Sequence, residues 1–362
     1  MDYTMLGYLV VLLVFGFLIL SSASAVEGLR IFKDQYFFIK RQVLFGLLPG
    51  LALGYVMLRV RYTFWQEKAA LMMALCLGLL IVVLIPGIGS TFEKGARSWF
   101  SWAGFSFQPG EFVKLGLIIF FSAYLIKYRQ KLTNWQEGFI PSLIVGFTPV
   151  LLLLLQPDVG TASIIFAIAL ALLFYAGAKV RHLGVLLLIG LVAFGAMVAL
   201  APYRVHRVMT FLHPELDPQG IGYQINQAYL GIGSGGWFGL GLGHSRQKFD
   251  YLPEVQADSI FAVLAEEMGF VITALFVVVL VLAIARMYAI ARSAGNEYGM
   301  LVSAGIASWL AIQSFLNIGA IVGLLPLTGV PLPFVSHGGS SLMSMLAASG
   351  LLLNISRGNR VT

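Results

Sequence analysis

Charged side chains are scarce in this chain, so each one beside or inside an apolar run is a candidate for chemistry. Asp258 ends the segment Leu252-Pro253-Glu254-Val255-Gln256-Ala257-Asp258 and stands at the mouth of the apolar run from Ile260. A carboxylate there suits a general base, which must lie within hydrogen-bond reach of its proton. It equally suits an N-cap, where Asp accepts the free amides of a first turn. An ordinary aspartate, with a pKa near 3.9, is a weak base. Burial, or Glu254 nearby, would raise that value. Glu111 and Lys114 open another apolar run three residues apart, which sets them on one helix face. They read either as a pair neutralised for burial or as the charged wall of a polar cavity. Asp158 follows Pro157 and precedes Val159-Gly160-Thr161, again the position of an N-cap. Glu266 and Glu267 lie roughly 12 Å further along the helix than Asp258. Acidic groups at membrane depth are costly. Three carboxylates on one helix point to a hydrated site, and the alternative is a set of groups satisfied inside the bundle.

Around these carboxylates lie three less regular stretches. Gly231-Ile232-Gly233-Ser234-Gly235-Gly236 continues through Gly239, Gly241 and Gly243. Such backbone can approach a ligand closely or cradle phosphate with its amides. No Gly-Lys-Ser/Thr closes it, so it is not a Walker loop. Tyr203-Arg204-Val205-His206-Arg207 is a basic cluster that would also suit lipid headgroups. The segment from Leu325 to Ser341 holds Pro326, Gly329, Pro331, Pro333, Gly338 and Gly339. Backbone so rich in proline and glycine is tolerated in a membrane only where protein or a water-filled cavity satisfies it. His337 within it could titrate near neutrality, or be a satisfied structural residue. Cys76 is the single cysteine, so no intramolecular disulfide is possible.

The elements that must position these residues are membrane helices. Of 362 residues, 59% are hydrophobic and 11% charged, with mean hydropathy +0.89. A soluble domain carries about 25% charged residues. Apolar runs long enough to span a bilayer, about 17–25 residues, fall at 5–25, 42–58, 69–88, 111–127, 139–156, 159–178, 183–201, 258–286, 299–325 and 336–355. The expected fold is therefore all-α, a polytopic membrane protein with about ten transmembrane helices. It forms a single domain over 1–362, with main loops at 89–110 and 202–257, the latter between the seventh and eighth spans. Ala23-Ser24-Ala25 resembles a signal cleavage site, but no basic residue precedes the first apolar run, so that run is read as an uncleaved span.

Loop charge gives the orientation. Arg59, Arg61, Lys68, Lys127, Arg129, Lys131, Lys179, Arg181, Arg286, Arg292, Arg357 and Arg360 fall on one side. The other side holds Arg30, Lys33, Lys40, Arg41, Lys94 and Arg97 in short loops. The first side is expected to be cytoplasmic, with both termini. The net charge of +7 is thus sorted across a membrane and implies no nucleic acid partner. The chemistry-bearing loops 89–110 and 202–257 are then extracytoplasmic. No internal repeat stands out, since only Gly46-Leu47-Leu48-Pro49 recurs, as Gly323-Leu324-Leu325-Pro326.

A set of motifs in this order resembles the SEDS family, the shape, elongation, division and sporulation proteins. They are Gly95-Ala96-Arg97-Ser98-Trp99, Gln108-Pro109-Gly110-Glu111-Phe112-Val113-Lys114, Gln156-Pro157-Asp158-Val159-Gly160-Thr161, Gly220-Ile221-Gly222-Tyr223-Gln224, Gly239-Leu240-Gly241, Leu252-Pro253-Glu254 and Asp258-Ser259-Ile260-Phe261-Ala262. The turn from Gly323 to Ser341 completes the set, and the resemblance covers essentially the whole chain. The wording Pro326-Leu327-Thr328-Gly329-Val330-Pro331 is similar to the elongation branch rather than the division branch. His337, where many relatives have Tyr, and Ser259, where many have Phe, are departures that remove no group the chemistry needs.

The resemblance implies a peptidoglycan glycosyltransferase of the bacterial cytoplasmic (inner) membrane. It would polymerise lipid II into β-1,4 glycan strands during cell elongation, with undecaprenyl pyrophosphate leaving on the extracytoplasmic side. The family's essential aspartate falls on Asp258 and its acid–lysine pair on Glu111 and Lys114, with Asp158 and Glu254 expected in the same polar cavity. Arg97, Trp99, Arg204, Arg207, Lys248 and Ser336 become candidates for binding substrate and pyrophosphate. A divalent cation, magnesium or manganese, is an alternative partner for Asp258, and no other cofactor is implied. The expected protein partner is a class B penicillin-binding protein within the cell-elongation complex. Two rival classes are a lipid II flippase and a non-catalytic scaffold. A flippase should need polar residues through the full depth of the bundle, whereas here they crowd one half.

Overall fold

The protein is described by a computed structural model covering residues 1–91, 97–102, 105–200, 202–217, 220–249 and 251–358. Lys94 and Arg360 of the charge pattern, and Gly95-Ala96 of the first motif, lie outside the described residues. Lipid offers no hydrogen bonds, so spanning backbone must satisfy itself, and a helix does so within one segment. The apolar runs accordingly fold as helices. These are α1 (Tyr3–Phe32), α2 (Phe37–Gln42) running through a π turn (Val43–Leu47) into α3 (Leu48–Arg59), α4 (Tyr62–Glu67), α5 (Ala69–Leu84), α6 (Pro109–Lys127), α7 (Ile140–Leu155), α8 (Val159–Tyr175), α9 (Val180–Ala199), α10 (Pro202–Leu212), α11 (Ile221–Ser234), α12 (Ile260–Arg292), α13 (Glu297–Ile321) and α14 (Gly339–Gly358). Among the described residues eight helical stretches are long and apolar enough to cross a membrane, and the shorter apolar α5 and α8 bring the total to the ten expected. The break between α7 and α8 falls at Gln156-Pro157-Asp158, where a proline interrupts the helix.

The bundle is layered from inside out. Within an apolar 18-residue stretch, 94% of α14 is buried in protein but only 11% of α9. So α14 is a central post, packed on α3, α6 and α13, while α9 leans on the periphery and faces lipid. The described residues of the two long loops include regular elements. Segment 89–110 carries a three-stranded antiparallel sheet, β1 (Ser90–Thr91), β2 (Arg97–Trp102) and β3 (Phe105–Phe107), in the order β1-β2-β3. Segment 202–257 carries α10 and α11.

The basic loops gather at one end of the bundle. Asp2 pairs with Arg286 and its amide donates to the Ser356 hydroxyl. Arg129 pairs with Glu297, and Asn354 donates to the Val60 carbonyl. The Trp135 and His182 rings meet edge to face. The N-terminus, the end of α14 and the loops after α3, α6, α8 and α12 therefore share that end. The sheet, α10, α11 and the turn before α14 lie at the other.

One span departs from a straight helix. Gly269 breaks α12 at φ 72°, ψ 178°, a conformation only glycine adopts freely. The glycine-rich segment docks there. Leu240 and Gly241 amides donate to the Glu266 and Glu267 carbonyls, and Phe270 and Val271 amides donate to Gly236 and Trp237. A Cβ on Gly269 would fall 2.2 Å from the Gly239 nitrogen. The glycines thus permit backbone-to-backbone docking across the break, which is their structural use here.

Candidate functional site

Asp258 lies two residues before the stub of α12 that Gly269 cuts off. Its side chain is buried, with 6% exposure, and the Gln224 amide of α11 approaches its Oδ1 at 3.5 Å. Gln224 also donates to the Ser259 hydroxyl at 2.9 Å. The main chain is fixed more firmly. Asn317 of α13 donates from Nδ2 to the Asp258 carbonyl at 2.9 Å and to the Val330 carbonyl at 2.8 Å. Ser336 donates to the Ala257 carbonyl and accepts from the Leu332 amide, and the His337 amide donates to the Gln256 carbonyl at 2.7 Å. The proline-rich turn before α14 is therefore laced to the segment that ends in Asp258. Between them Asp258, Asn317, Leu327, Thr328 and Val330 line a narrow crevice too tight to admit a water molecule.

The opposite face of the same turn meets the buried pair. Lys114 donates to Glu111 Oε1 at 2.7 Å and to Gln313 Oε1 at 2.8 Å. Gln313 Nε2 donates in turn to the Pro331 carbonyl at 3.0 Å. The Lys114 ammonium also sits 5.2 Å from the Trp309 ring centroid, a cation–π contact. Glu111 is 2% and Lys114 0% exposed, so the pair is desolvated, and Glu111 Oε2 has no hydrogen-bond partner. Asp158 caps α8 by accepting the Thr161 amide at 3.1 Å, and Gln108 donates to its other oxygen at 3.1 Å. It lies in the break between two helices. Desolvation raises its carboxyl pKa, and the Thr161 amide pulls the other way. The Gln108 amide donates to Ser340 at the start of α14, which ties this capped corner to the same end.

The basic candidates divide. Arg207 reaches the Leu327 carbonyl at 3.4 Å, on the rim of the Asp258 crevice, and its buried Nε has no partner. Arg204 donates instead to the Met197 carbonyl at 3.0 Å. Arg97 and Trp99 lie on β2 of the sheet, Arg97 exposed. Lys248 is buried elsewhere, donating to Glu267 at 2.9 Å and to Ser22 of α1 at 3.0 Å. Glu254, in a left-handed conformation at φ 53°, accepts the Ala257 and Ser259 amides through its carbonyl and shapes the turn into Asp258.

Glu266 and Glu267 correct the expectation of a hydrated site on α12. Both are buried. Glu266 accepts from Ser245 Oγ and the Arg246 and Gln247 amides, while Glu267 holds Lys248, Ser22 and the Ser245 amide. They anchor the loop that leads to Asp258. Ser245 and Lys248 have Ser-x-x-Lys spacing, but both side chains are engaged by these glutamates and neither is poised as an acylation nucleophile or base. Among the described residues no group of three His, Cys, Asp or Glu side chains converges to hold a metal ion.

Sequence reasoning missed Gln313 and Asn317, and held Gln224 only as the end of a motif, with no role. Trp309, Gln313 and Asn317 repeat every four residues in an otherwise apolar span, which places them on one helix face. That periodic polarity was the available signal.

Ten membrane helices with a desolvated polar layer at one end define a polytopic membrane protein with an intramembrane polar site. The family model described as Cell cycle protein (FtsW, RodA, SpoVE) matches residues 3–361. Stage V sporulation protein E of Bacillus subtilis (strain 168) is 44% identical over 349 residues, 96% of this chain and 95% of the relative. A probable peptidoglycan glycosyltransferase FtsW of Geobacter sp. (strain M18) is 39% identical over 355 residues, 98% and 96% of the two chains. Among solved structures, a chain from a peptidoglycan synthase complex superposes with TM-score 0.79 at 29% identity, covering 100% of this chain and 99% of its own. The rod shape determining protein RodA of Thermus thermophilus gives TM-score 0.73 at 28% identity, with 100% and 98% covered. The chain belongs to the FtsW/RodA/SpoVE family, the SEDS proteins.

Proposed function

We propose that this protein is a peptidoglycan glycosyltransferase that polymerises lipid II. The observation that carries this reading is the double fixation of Asp258. Its carbonyl is held by Asn317, and its segment is laced to the turn that lines the crevice beside it. Such rigid placement is what a catalytic carboxylate needs, because small misplacements of reacting groups are costly in rate. The names of the FtsW relatives and the synthase-complex neighbour support the same class.

In the proposed step, the 4-hydroxyl of one lipid-linked sugar attacks the anomeric carbon of a second lipid-linked glycan. Asp258 takes the hydroxyl proton. The bond from the anomeric carbon to the pyrophosphate oxygen breaks, and undecaprenyl pyrophosphate leaves with the electron pair. One displacement turns an α-linked donor into a β-1,4 product, so one general base suffices and no carboxylate nucleophile is needed. Arg207, which reaches the Leu327 carbonyl on the crevice rim, would stabilise the departing pyrophosphate. Arg97, Trp99 and Arg204 would act further out along the substrate, and Ser336 by holding the Asp258 segment. A magnesium or manganese ion at Asp258 belongs to this proposal only as an alternative to its role as base. The site would face the extracytoplasmic side of the bacterial inner membrane, with both termini cytoplasmic. A class B penicillin-binding protein is the proposed partner, consistent with the synthase-complex neighbour.

The cellular process is read two ways. The Pro326–Pro331 turn resembles the elongation branch. Identity of 44% to the sporulation relative and 39% to the FtsW relative supports a second reading outside the elongation branch. Complementation of strains depleted of each polymerase separates them.

The direct test uses purified Asp258→Ala protein with labelled lipid II. It should bind lipid II yet form no glycan strands, with or without its partner. Normal strand formation would sink the assignment. Movement of lipid II across liposomes without strand formation would instead favour a flippase.

A further inference from the structure

A second site lies at the opposite, basic end of the bundle, away from Asp258. Between peripheral α9 and the bundle runs a sideways-open crevice of about 490 Å³. Its walls are apolar and come from α8 (Leu170, Phe174), α9 (Leu183, Leu187) and α13 (Ala311, Ile312). On α9 the lining positions Val180, Leu183, Gly184 and Leu187 form one helical stripe. From Val180 to Leu187 the crevice follows α9 for about 10 Å, the length of part of an acyl chain.

The basic end of the crevice is polar. Tyr175 and Tyr288 line it with ring centroids 5.9 Å apart, and the Tyr288 and Ser308 hydroxyls lie 2.9 Å apart. Beyond them stand three exposed cations. Arg292 is one turn past Tyr288 on the same face of α12. Lys179 and Arg181 flank Val180 at the start of α9. None of the three has an acidic side chain within ion-pair distance among the described residues.

We propose that this crevice binds an anionic phospholipid from the leaflet at the basic end of the bundle. One acyl chain lies between α8, α9 and α13, and the phosphate is met by Arg292, Lys179 and Arg181. Charge complementarity selects the headgroup: three cations without carboxylates favour a net negative lipid over a zwitterionic one. Sideways opening selects a chain already in the bilayer. Because α9 is so little buried in protein, a lipid there would also fill the seam that fastens α9 to the bundle.

Native mass spectrometry of the purified full-length protein tests this. The probes are palmitoyl-oleoyl phosphatidylglycerol and the matching phosphatidylcholine, added at equal concentration. Wild type should retain one phosphatidylglycerol with at least a fivefold preference. Gly184→Leu should abolish that retention, since a Cβ at Gly184 meets nothing within 4 Å and the larger side chain would fill the crevice without moving backbone. Ala311→Phe fills the facing wall and guards against a fold defect in either variant. The triple variant Lys179→Gln, Arg181→Gln, Arg292→Gln should lose the headgroup preference while still retaining either lipid. Absence of a preference in wild type, or a preference that survives both filling variants, overturns the proposal. So would displacement of phosphatidylglycerol by polyprenyl phosphate at equal concentration, which would assign the crevice to a polyprenyl chain.

Discussion

Asn317 donates both protons of one amide nitrogen, at 2.9 Å to the carbonyl of Asp258 and at 2.8 Å to that of Val330. One side chain thereby joins the end of the α12 loop to the proline-rich turn, and it sits on α13, the helix that also carries Gln313. Asn317→Leu removes one donor from each of two carbonyls, a cost of about 1–3 kcal/mol for each that is left unsatisfied. The variant should melt lower, and its polymerisation kcat should fall at least tenfold with KM for lipid II little changed. A fall in KM affinity with kcat intact would contradict a positioning role.

Glu111 and Lys114 form a pair buried at both ends. Removing one partner strands a charge, so Lys114→Met should cost about 3–5 kcal/mol, whereas the double variant Glu111→Gln, Lys114→Met should recover much of that loss. Thermal melting of the four proteins in detergent closes the cycle. Additive losses would show that the two side chains are not coupled.

Lys248 is held by Glu267 and Ser22 rather than facing the Asp258 crevice. If its work is to anchor the loop, Lys248→Met should speed proteolytic nicking between α11 and α12 and lower polymerisation. The double variant Lys248→Met, Glu267→Gln should then restore both protease resistance and polymerisation in large part. Restored resistance with polymerisation still absent would return Lys248 to the pyrophosphate.

These outcomes bear on what the sequence could and could not convey. The ten spans were legible because lipid demands long apolar runs, and Glu111 with Lys114 because a charged pair in such a run has a fixed helical spacing. The N-cap role of Asp158 was legible from local position for the same reason. Glu266 and Glu267 were not. Their burial depends on a loop folding back across the break at Gly269, and a lone glycine in an apolar run does not announce a left-handed backbone. The contacts of Lys248 were hidden in the same way, because its partners are 19 and 226 residues away. Gln313 and Asn317 were visible as periodic polarity, but only the turn they bind gives that pattern a purpose.

The N-terminus offers a pH test outside the spans. Asp2 precedes α1, accepts from Arg286 at 2.7 Å and caps the helix through the Met5 amide at 2.9 Å. Burial works to raise its carboxyl pKa, but the Arg286 hydrogen bond, the Met5 amide and nearby positive charge prevail and hold it below the ordinary 3.8. A carboxyl lowered in the folded state contributes stability that is full above its unfolded pKa. That contribution is lost as pH falls through the lower folded value. The Arg286 side chain is 43% exposed, so solvent screens the pair and its worth is about 0.2–1 kcal/mol. Asp2→Asn should therefore melt slightly below wild type at pH 7. The gap should stay constant down to the region of 3.8 and close below it. High salt at pH 7 should narrow the gap as well, since exposed charges are screened over about 10 Å at 0.1 M. A gap that persists unchanged in acid and in salt would mean that it does not arise from the Asp2 charge, because Asn keeps the acceptor that caps the Met5 amide.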